Sequence, residues 1–329
     1  MLRGDAMRTA NSLGFSFVLL ALGCSSPPAP ATPDEPPPSL EDEEPSDGGS
    51  GSKAGTDAIA AGEFEKARGI FEKLVGEQPS NAKAHFYLGV SLQNLGQGEA
   101  AVQSYERALE LDPKLTEATV NLTAALLDAG DAARAEPVIE RGLAREPSHP
   151  GLLYNRAIAA SLLGKKTEAV KAYREALGAD PSNVEIKYGY AEALVVAGSN
   201  SEARSLLGEL AQSDDVAVLA STARLLGRLE DFDGCIAALE KAIVREASAE
   251  LYVARGLCHH GKKDDASAFA DFQQGIQKDP KYAPAHYYSG MDLKQRGKKA
   301  EAKKALGKAV ELAGDSGVGK AAKRALDGL

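Results

Sequence analysis

From residue 56 onward, apolar and polar positions alternate with a helical period, and the alternation itself recurs. "AVQSYERALELDP", Ala101 to Pro113, is answered sixty-eight residues later by "AVKAYREALGADP", Ala169 to Pro181. A small residue stands at Ala67, Ala101, Ala135, Ala169 and Ala203, every 34 residues. After two slightly shorter steps the column continues through Cys235, Ala268 and Ala302. Four residues after each comes a large apolar side chain: Phe71, Tyr105, Ile139, Tyr173, Leu207, Leu239, Phe272 and Leu306. Glycines recur mid-unit at Gly62, Gly96, Gly130, Gly164, Gly198 and Gly297, and prolines close most units at Pro79, Pro113, Pro147, Pro181 and Pro280. Glycine tolerates the left-handed conformation that ends a helix. Proline lacks an N–H and constrains the residue before it. The pattern therefore predicts two helices of about 12–14 residues per unit. Eight units follow, at 48–81, 82–115, 116–149, 150–183, 184–215, 216–248, 249–282 and 283–316.

The small column has a mechanical reading. Two helices that cross closely need a methyl or less at the crossing. The Ala column is expected to face Gly55, Gly89, Thr123, Ala157, Ala191, Ala223, Gly256 and Gly290 on the first helices.

This pattern resembles the tetratricopeptide repeat family. "HFYLGVSLQNLGQGEAAVQSYERALELDP" (His85–Pro113) and "RGLCHHGKKDDASAFADFQQGIQKDP" (Arg255–Pro280) carry the likeness most plainly, and it covers about four-fifths of the chain. The resemblance implies an all-α fold, an α-solenoid in which about eight helix pairs wind into a right-handed superhelix. The repeat array is placed at 56–316. Residues 317–329, "GVGKAAKRALDGL", bring Val318, Ala321, Ala325 and Leu329 onto one stripe and read as a capping helix. Local departures exist. The first helix of unit one, "GTDAIAA", is feeble; units five and six end on Asp215 and Ala247 where Pro is expected; Gly261 comes two residues early, leaving the register of its helix open.

Composition sharpens this picture. The 329 residues are 26 % charged and 43 % hydrophobic, a soluble globular balance with enough apolar mass for a large core. The net charge of −9 is unevenly placed: 25–53 carries −6 and 283–329 carries +5. A solvated helix face accounts for the basic end; an acidic partner or a lipid head group is the alternative.

The amino-terminal segment has its own logic. Arg3 and Arg8 precede an apolar run from Leu13 to Leu22, too short for the about 20 residues a membrane crossing needs. A basic start, a short apolar middle and small residues describe a secretory signal at 1–23, with Met7 as an alternative start because Asp5 fits a leader poorly. "ALGC", Ala21 to Cys24, resembles the lipobox of bacterial lipoproteins, which implies acylation of Cys24. Ser25 after the Cys implies, by the same resemblance, sorting to the outer membrane, periplasmic face. The stretch 24–55 is Pro-rich, acidic and Gly/Ser-rich, and reads as a disordered tether.

In tetratricopeptide proteins the first helices line a concave groove that takes partner segments. The matching places here include Phe86, Tyr87, Val90, Asn121, Leu127, Tyr154, Asn155, Ile158, Tyr188, Glu192, Tyr287 and Tyr288. Such an aromatic and apolar groove with Asn amides suits an amphipathic helix or an extended apolar peptide; rings packed between helices are the competing reading. Only Asn121 and Asn155 match part of the set that clamps C-terminal carboxylates, so that ligand class is disfavoured. The implied partners are proteins of the cell envelope, with a lipid anchor in the membrane and self-association as a further option. No dense basic and aromatic interleaving points to nucleic acid.

Signals for chemistry are few. "GLCHHGKK", Gly256 to Lys263, nearly spells a phosphate loop but ends on Lys where Ser or Thr should meet magnesium, and no strand precedes it. Cys258, His259 and His260 are consecutive on a predicted helix, so they point about 100° apart and cannot all reach one metal. Cys235 and Cys258 are the thiols left once Cys24 is acylated. A disulfide between them is one reading in an oxidising compartment; Cys235 as a small core residue of the Ala column is the other. The chain is expected to be no enzyme and to need no cofactor or metal; the alternative is a small-ligand or metal site in the groove near Cys258–His260.

Overall fold

The computed structural model describes residues 49–329. The leader at 1–23, acylation of Cys24 and the tether as far as residue 48 lie outside the described residues. The described residues form seventeen α-helices and no strand, in two compact units of 49–245 and 246–329. None of these helices is long and apolar enough to cross a membrane.

The first unit holds six helix pairs. They are α1 (Gly49–Ala60) with α2 (Phe64–Glu77), α3 (Ala82–Asn94) with α4 (Gly98–Leu111), and α5 (Thr116–Asp128) with α6 (Ala132–Arg145). Then come α7 (Pro150–Leu162) with α8 (Lys166–Ala179), α9 (Val184–Ala197) with α10 (Asn200–Leu210), and α11 (Val216–Arg228) with α12 (Phe232–Arg245). The second unit holds α13 (Ala249–Gly261) with α14 (Asp265–Lys278), α15 (Ala283–Gln295) with α16 (Lys299–Ala313), and α17 (Gly317–Asp327). Helix starts follow side-chain capping. Asn81, Asp131, Asn183, Asp215 and Ser248 each accept a hydrogen bond from a backbone N–H in the first turn of the helix they precede.

Helix α1 begins at Gly49, inside the stretch read as tether. Its Gly- and Ser-rich first turns have poor intrinsic propensity. Packing decides instead: Ala58 is buried, and Gly55 lies under the ring of Phe71.

Every member of the small column is buried, and so is every large residue four positions on. The expectation that Ala faces a small first-helix residue needs correcting in one respect. What fills the crossing is the large side chain. A Cβ added at Gly55, Gly89 or Gly256 would lie 2.5–2.6 Å from Phe71, Tyr105 or Phe272. At Gly290 it would meet Leu306 at 2.7 Å, and at Gly256 also the Ala268 carbonyl at 3.1 Å. Tyr173 reaches further and lies over Gly189 of the next pair, 2.6 Å from where its Cβ would be. Where the first helix carries glycine, the close approach is thus a large side chain over that glycine, a ring at Gly55, Gly89 and Gly256 and Leu306 at Gly290, with volume traded between the two partners.

Register across the departures is also resolved. The turn residue of each pair takes a positive φ: Gly62, Gly96, Gly130, Gly164, Gly198 and Gly297 in six pairs. Glu230 (φ 57°) and Lys263 (φ 66°) take that place in the other two. Gly261 is simply the last residue of α13, so this helix keeps the 13 residues of α3. In α17 the packing centre is Ala322, with Ala325, Leu326 and Leu329 beside it against Leu306 and Ala309 of α16. Val318 and Ala321 are half-buried.

Candidate functional site

In the 49–245 unit, successive first helices touch, α3 to α5 and so on to α11. A 34-residue step puts equivalent side chains at equivalent places on neighbouring helices, and one turn separates members of the same helix. The face is therefore an array of rows. One row runs Phe86, Val120, Tyr154 and Tyr188; the next runs Val90, Ala124, Ile158, Glu192 and Arg224; a third runs Asn94, Asp128, Leu162, Val196 and Arg228.

The predicted site residues divide between this face and the interior. Phe86, Leu127 and Asn155 are buried among the helices. The Asn155 amide donates to the Val120 carbonyl at 3.1 Å and to Thr123 Oγ1 at 2.7 Å, so it ties α7 to α5. Asn121 sits beside the Tyr105 hydroxyl, which itself donates to Gln93 Oε1 at 2.8 Å. These two amides are joints between repeats. Tyr87 is half-buried, stacked on Phe71 with centroids 5.3 Å apart. Tyr154 meets Tyr173 edge-on at 6.1 Å. Burial first, and then the Glu185 carboxylate, push its phenol up to about 12. Val90, Ile158, Tyr188 and Glu192 are partly open to solvent.

Tyr188 and Glu192 are joined to charges that the sequence reading passed over. Arg224 donates to the Tyr188 hydroxyl, and Arg228 Nη1 to Glu192 Oε1 at 3.4 Å. Burial raises the Tyr188 phenol, while Arg224 pulls it the other way. One turn along, Leu162 is 54 % exposed and Val196 45 %; Leu163, Val184 and Val244 are the other large apolar side chains exposed among the described residues. A cleft of about 210 Å³ opens next to Val196, with Ser161, Tyr173, Glu192 and Ala193 in its walls. The signal for Asp128, Leu162, Val196, Arg224 and Arg228 was present in the sequence. Asp128, Leu162 and Val196 lie on the same 34-residue grid, and Arg224 and Arg228 follow Glu192 and Val196 at the shorter step of 32, one or two turns along from the aromatic residues that drew attention first.

Tyr287 and Tyr288 lie in the 246–329 unit. Tyr288 stacks on Phe272 at 5.6 Å, and Tyr287 meets Tyr288 edge-on at 5.0 Å. Both are half-buried; burial raises the Tyr287 phenol against the pull of Arg324 on α17. In the same unit Arg255 forms a two-pronged ion pair with the buried Asp271, Nε–Oδ2 2.9 Å and Nη2–Oδ1 2.6 Å. His259 lies between Asp264 at 3.6 Å and Asp271 at 3.9 Å, and His260 Nδ1 is 2.9 Å from Asp265. His259 and His260 thus turn to different carboxylates. Among the described residues no group of three or more His, Cys, Asp or Glu is placed to hold a metal ion. Cys235 on α12 and Cys258 on α13 are both buried.

Family models described as tetratricopeptide repeat match residues 57–210 and 221–283. A search of curated proteins finds no match. Among solved structures, a tetratricopeptide repeat protein from Parabacteroides merdae matches with a TM-score of 0.55 at 20 % identity, over 74 % of this chain and 97 % of that one. Yeast Tom70 matches with a TM-score of 0.54 at 17 % identity, over 84 % of this chain; the chain spans 62 % of the Tom70 structure. At these identities the likeness concerns the fold.

Proposed function

Because the chain belongs to the tetratricopeptide repeat family, we propose that it works without catalysis, as a scaffold that holds a segment of a partner protein on the first-helix face of the 49–245 unit. The observation that carries this reading is the exposure of Leu162 and Val196 at equivalent places on the neighbouring first helices α7 and α9. Hydrating two aliphatic side chains is unfavourable, by about 25 cal/mol for each Å² left open. A partner that covers them removes that cost. The partly open Ile158 and Tyr188 extend the same apolar strip.

The scaffold is held at the outer membrane by acylated Cys24, and its partner belongs to the cell envelope. "ALGC" after the apolar run Leu13 to Leu22 supports this. One acyl chain binds a bilayer only marginally, so stable anchoring takes two or more.

Two measurements test the proposal. Partner capture in a crosslinking pull-down from membranes should fall sharply for the double variant Leu162→Asp/Val196→Asp, with far-UV circular dichroism unchanged. Undiminished capture would remove the face from consideration. Cys24→Ser should move the protein from the membrane to the soluble fraction and abolish labelling by radioactive palmitate.

A further inference from the structure

The last turns of α5, α7, α9 and α11 carry Asp128, Leu162, Val196 and Arg228 at one equivalent place, and all four are exposed. Across the face, the row reads acid, aliphatic, aliphatic, base. Helix α11 adds a second cation one turn earlier, Arg224, and has no Asp or Glu of its own. Each guanidinium has one partner on α9, Arg228 the ion-paired Glu192 and Arg224 the Tyr188 hydroxyl, and keeps further N–H donors. Each has five N–H donors; Arg224 gives one to the neutral Tyr188 hydroxyl, and Arg228 gives one to Glu192 across a long 3.4 Å.

Geometry sets the spacing of whatever lies on this row. Packed helices lie about 8–10 Å apart, and an extended chain advances about 3.3 Å per residue. A strand-like segment crossing α5, α7, α9 and α11 therefore meets a new member of the row at every third residue. An acidic side chain at the α11 end gains charge-assisted hydrogen bonds. The same side chain at the α5 end would face Asp128, and like charges in contact suppress the reversed charge order.

We propose that the segment bound here is extended and presents a basic, two aliphatic and an acidic side chain at three-residue intervals. The acidic one lies on Arg228 and Arg224, the aliphatic ones on Val196 and Leu162, and the basic one on Asp128. This rests on the reading that the face binds a partner segment, and it adds the chemistry of that segment.

A random dodecapeptide phage library, selected on the full chain and counter-selected on Leu162→Asp/Val196→Asp, tests both levels separately. Clones that depend on Leu162 and Val196 should share the base, aliphatic, aliphatic, acid order at three-residue steps. Selection on Arg228→Glu should replace the acidic preference at that end by a basic one, and Asp128→Lys should do the converse at the other. A peptide from the wild-type selection should lose about tenfold in affinity for Arg228→Glu, the scale of one charge-assisted hydrogen bond. Clones that need Leu162 and Val196 but show no charge order, or keep it unchanged on Arg228→Glu, would overturn the inference and leave the binding face standing. If no clone depends on Leu162 and Val196, the binding face fails with it.

Discussion

Replacing Glu230 or Lys263 by glycine should make the protein more stable. Each sits where six other pairs have glycine, with φ of 57° and 66°. An L-residue in the left-handed region costs about 1–2 kcal/mol, because its Cβ crowds the carbonyl that follows. Glycine returns part of that gain through its larger unfolded-state entropy, about 0.5–1 kcal/mol. The net expectation is roughly 0.5–1 kcal/mol of stabilisation per site. Both side chains are exposed, so little packing is lost with them. The converse control is Gly164→Ala. Its φ is +70° and nothing lies within 4 Å of the added Cβ, so the substitution isolates backbone strain from steric clash. It should destabilise by about the same amount. Thermal melts by circular dichroism should show shifts of a few degrees, since about 1 kcal/mol moves Tm by roughly 2–4 °C at this size. Repeat arrays can open pair by pair, so amide exchange in α11 and α12 gives a local readout for Glu230→Gly. Equal or lower stability in both glycine variants, with Gly164→Ala neutral, would show that the turn conformation is not what these positions demand.

Gly89→Ala places a methyl 2.5 Å from the buried Tyr105 ring. It should cost about 1–3 kcal/mol in urea unfolding, with partial recovery when Tyr105→Leu is added; a neutral single variant would refute the ring-over-glycine account. Asn155→Ala removes both side-chain bonds from α7 to α5, while the Val120 carbonyl keeps the Thr123 hydroxyl that donates to it at 2.8 Å, so a loss of about 1–3 kcal/mol is expected in the same assay. Burial pushes the phenols of Tyr154 and Tyr288 up to about 12 from the ordinary 10. Folded-state values above the unfolded ones mean that this stabilisation is complete below pH 10 and is lost as pH rises through 12. Urea midpoints that hold steady over that interval would contradict it.

Much of the fold was legible because it is periodic. The Ala column, the large residue four places on, the mid-unit glycine and the closing proline each recur at a fixed stride, and each reports a constraint within one helix pair. The departures were legible as departures only. Gly261 left the register of its helix open; the positive φ of Lys263, five residues before Ala268 as in the glycine pairs, and the packing of Gly256 under Phe272 fix it. The site was harder to read. Aromatic residues at first-helix positions drew attention because large rings stand out in a sequence. Asn155 and Phe86 prove to be interior, while Leu162 and Val196 lie open.

By itself the sequence determined that residues 56–316 repeat as helix pairs, since a stride of about 34 residues marked by small, large, glycine and proline fits two packed helices and their turns. It also determined where the acidic and basic segments fall. Only the tertiary structure decided which members of each first helix look inward. An α-helix offers neighbouring residues at steps of about 100°, and a shift of one position in the packing stripe exchanges a groove residue for a core residue. The ring contacts fix it in space: Tyr105 and Phe272 lie over glycines of their own pairs, and Tyr173 over Gly189 of the next.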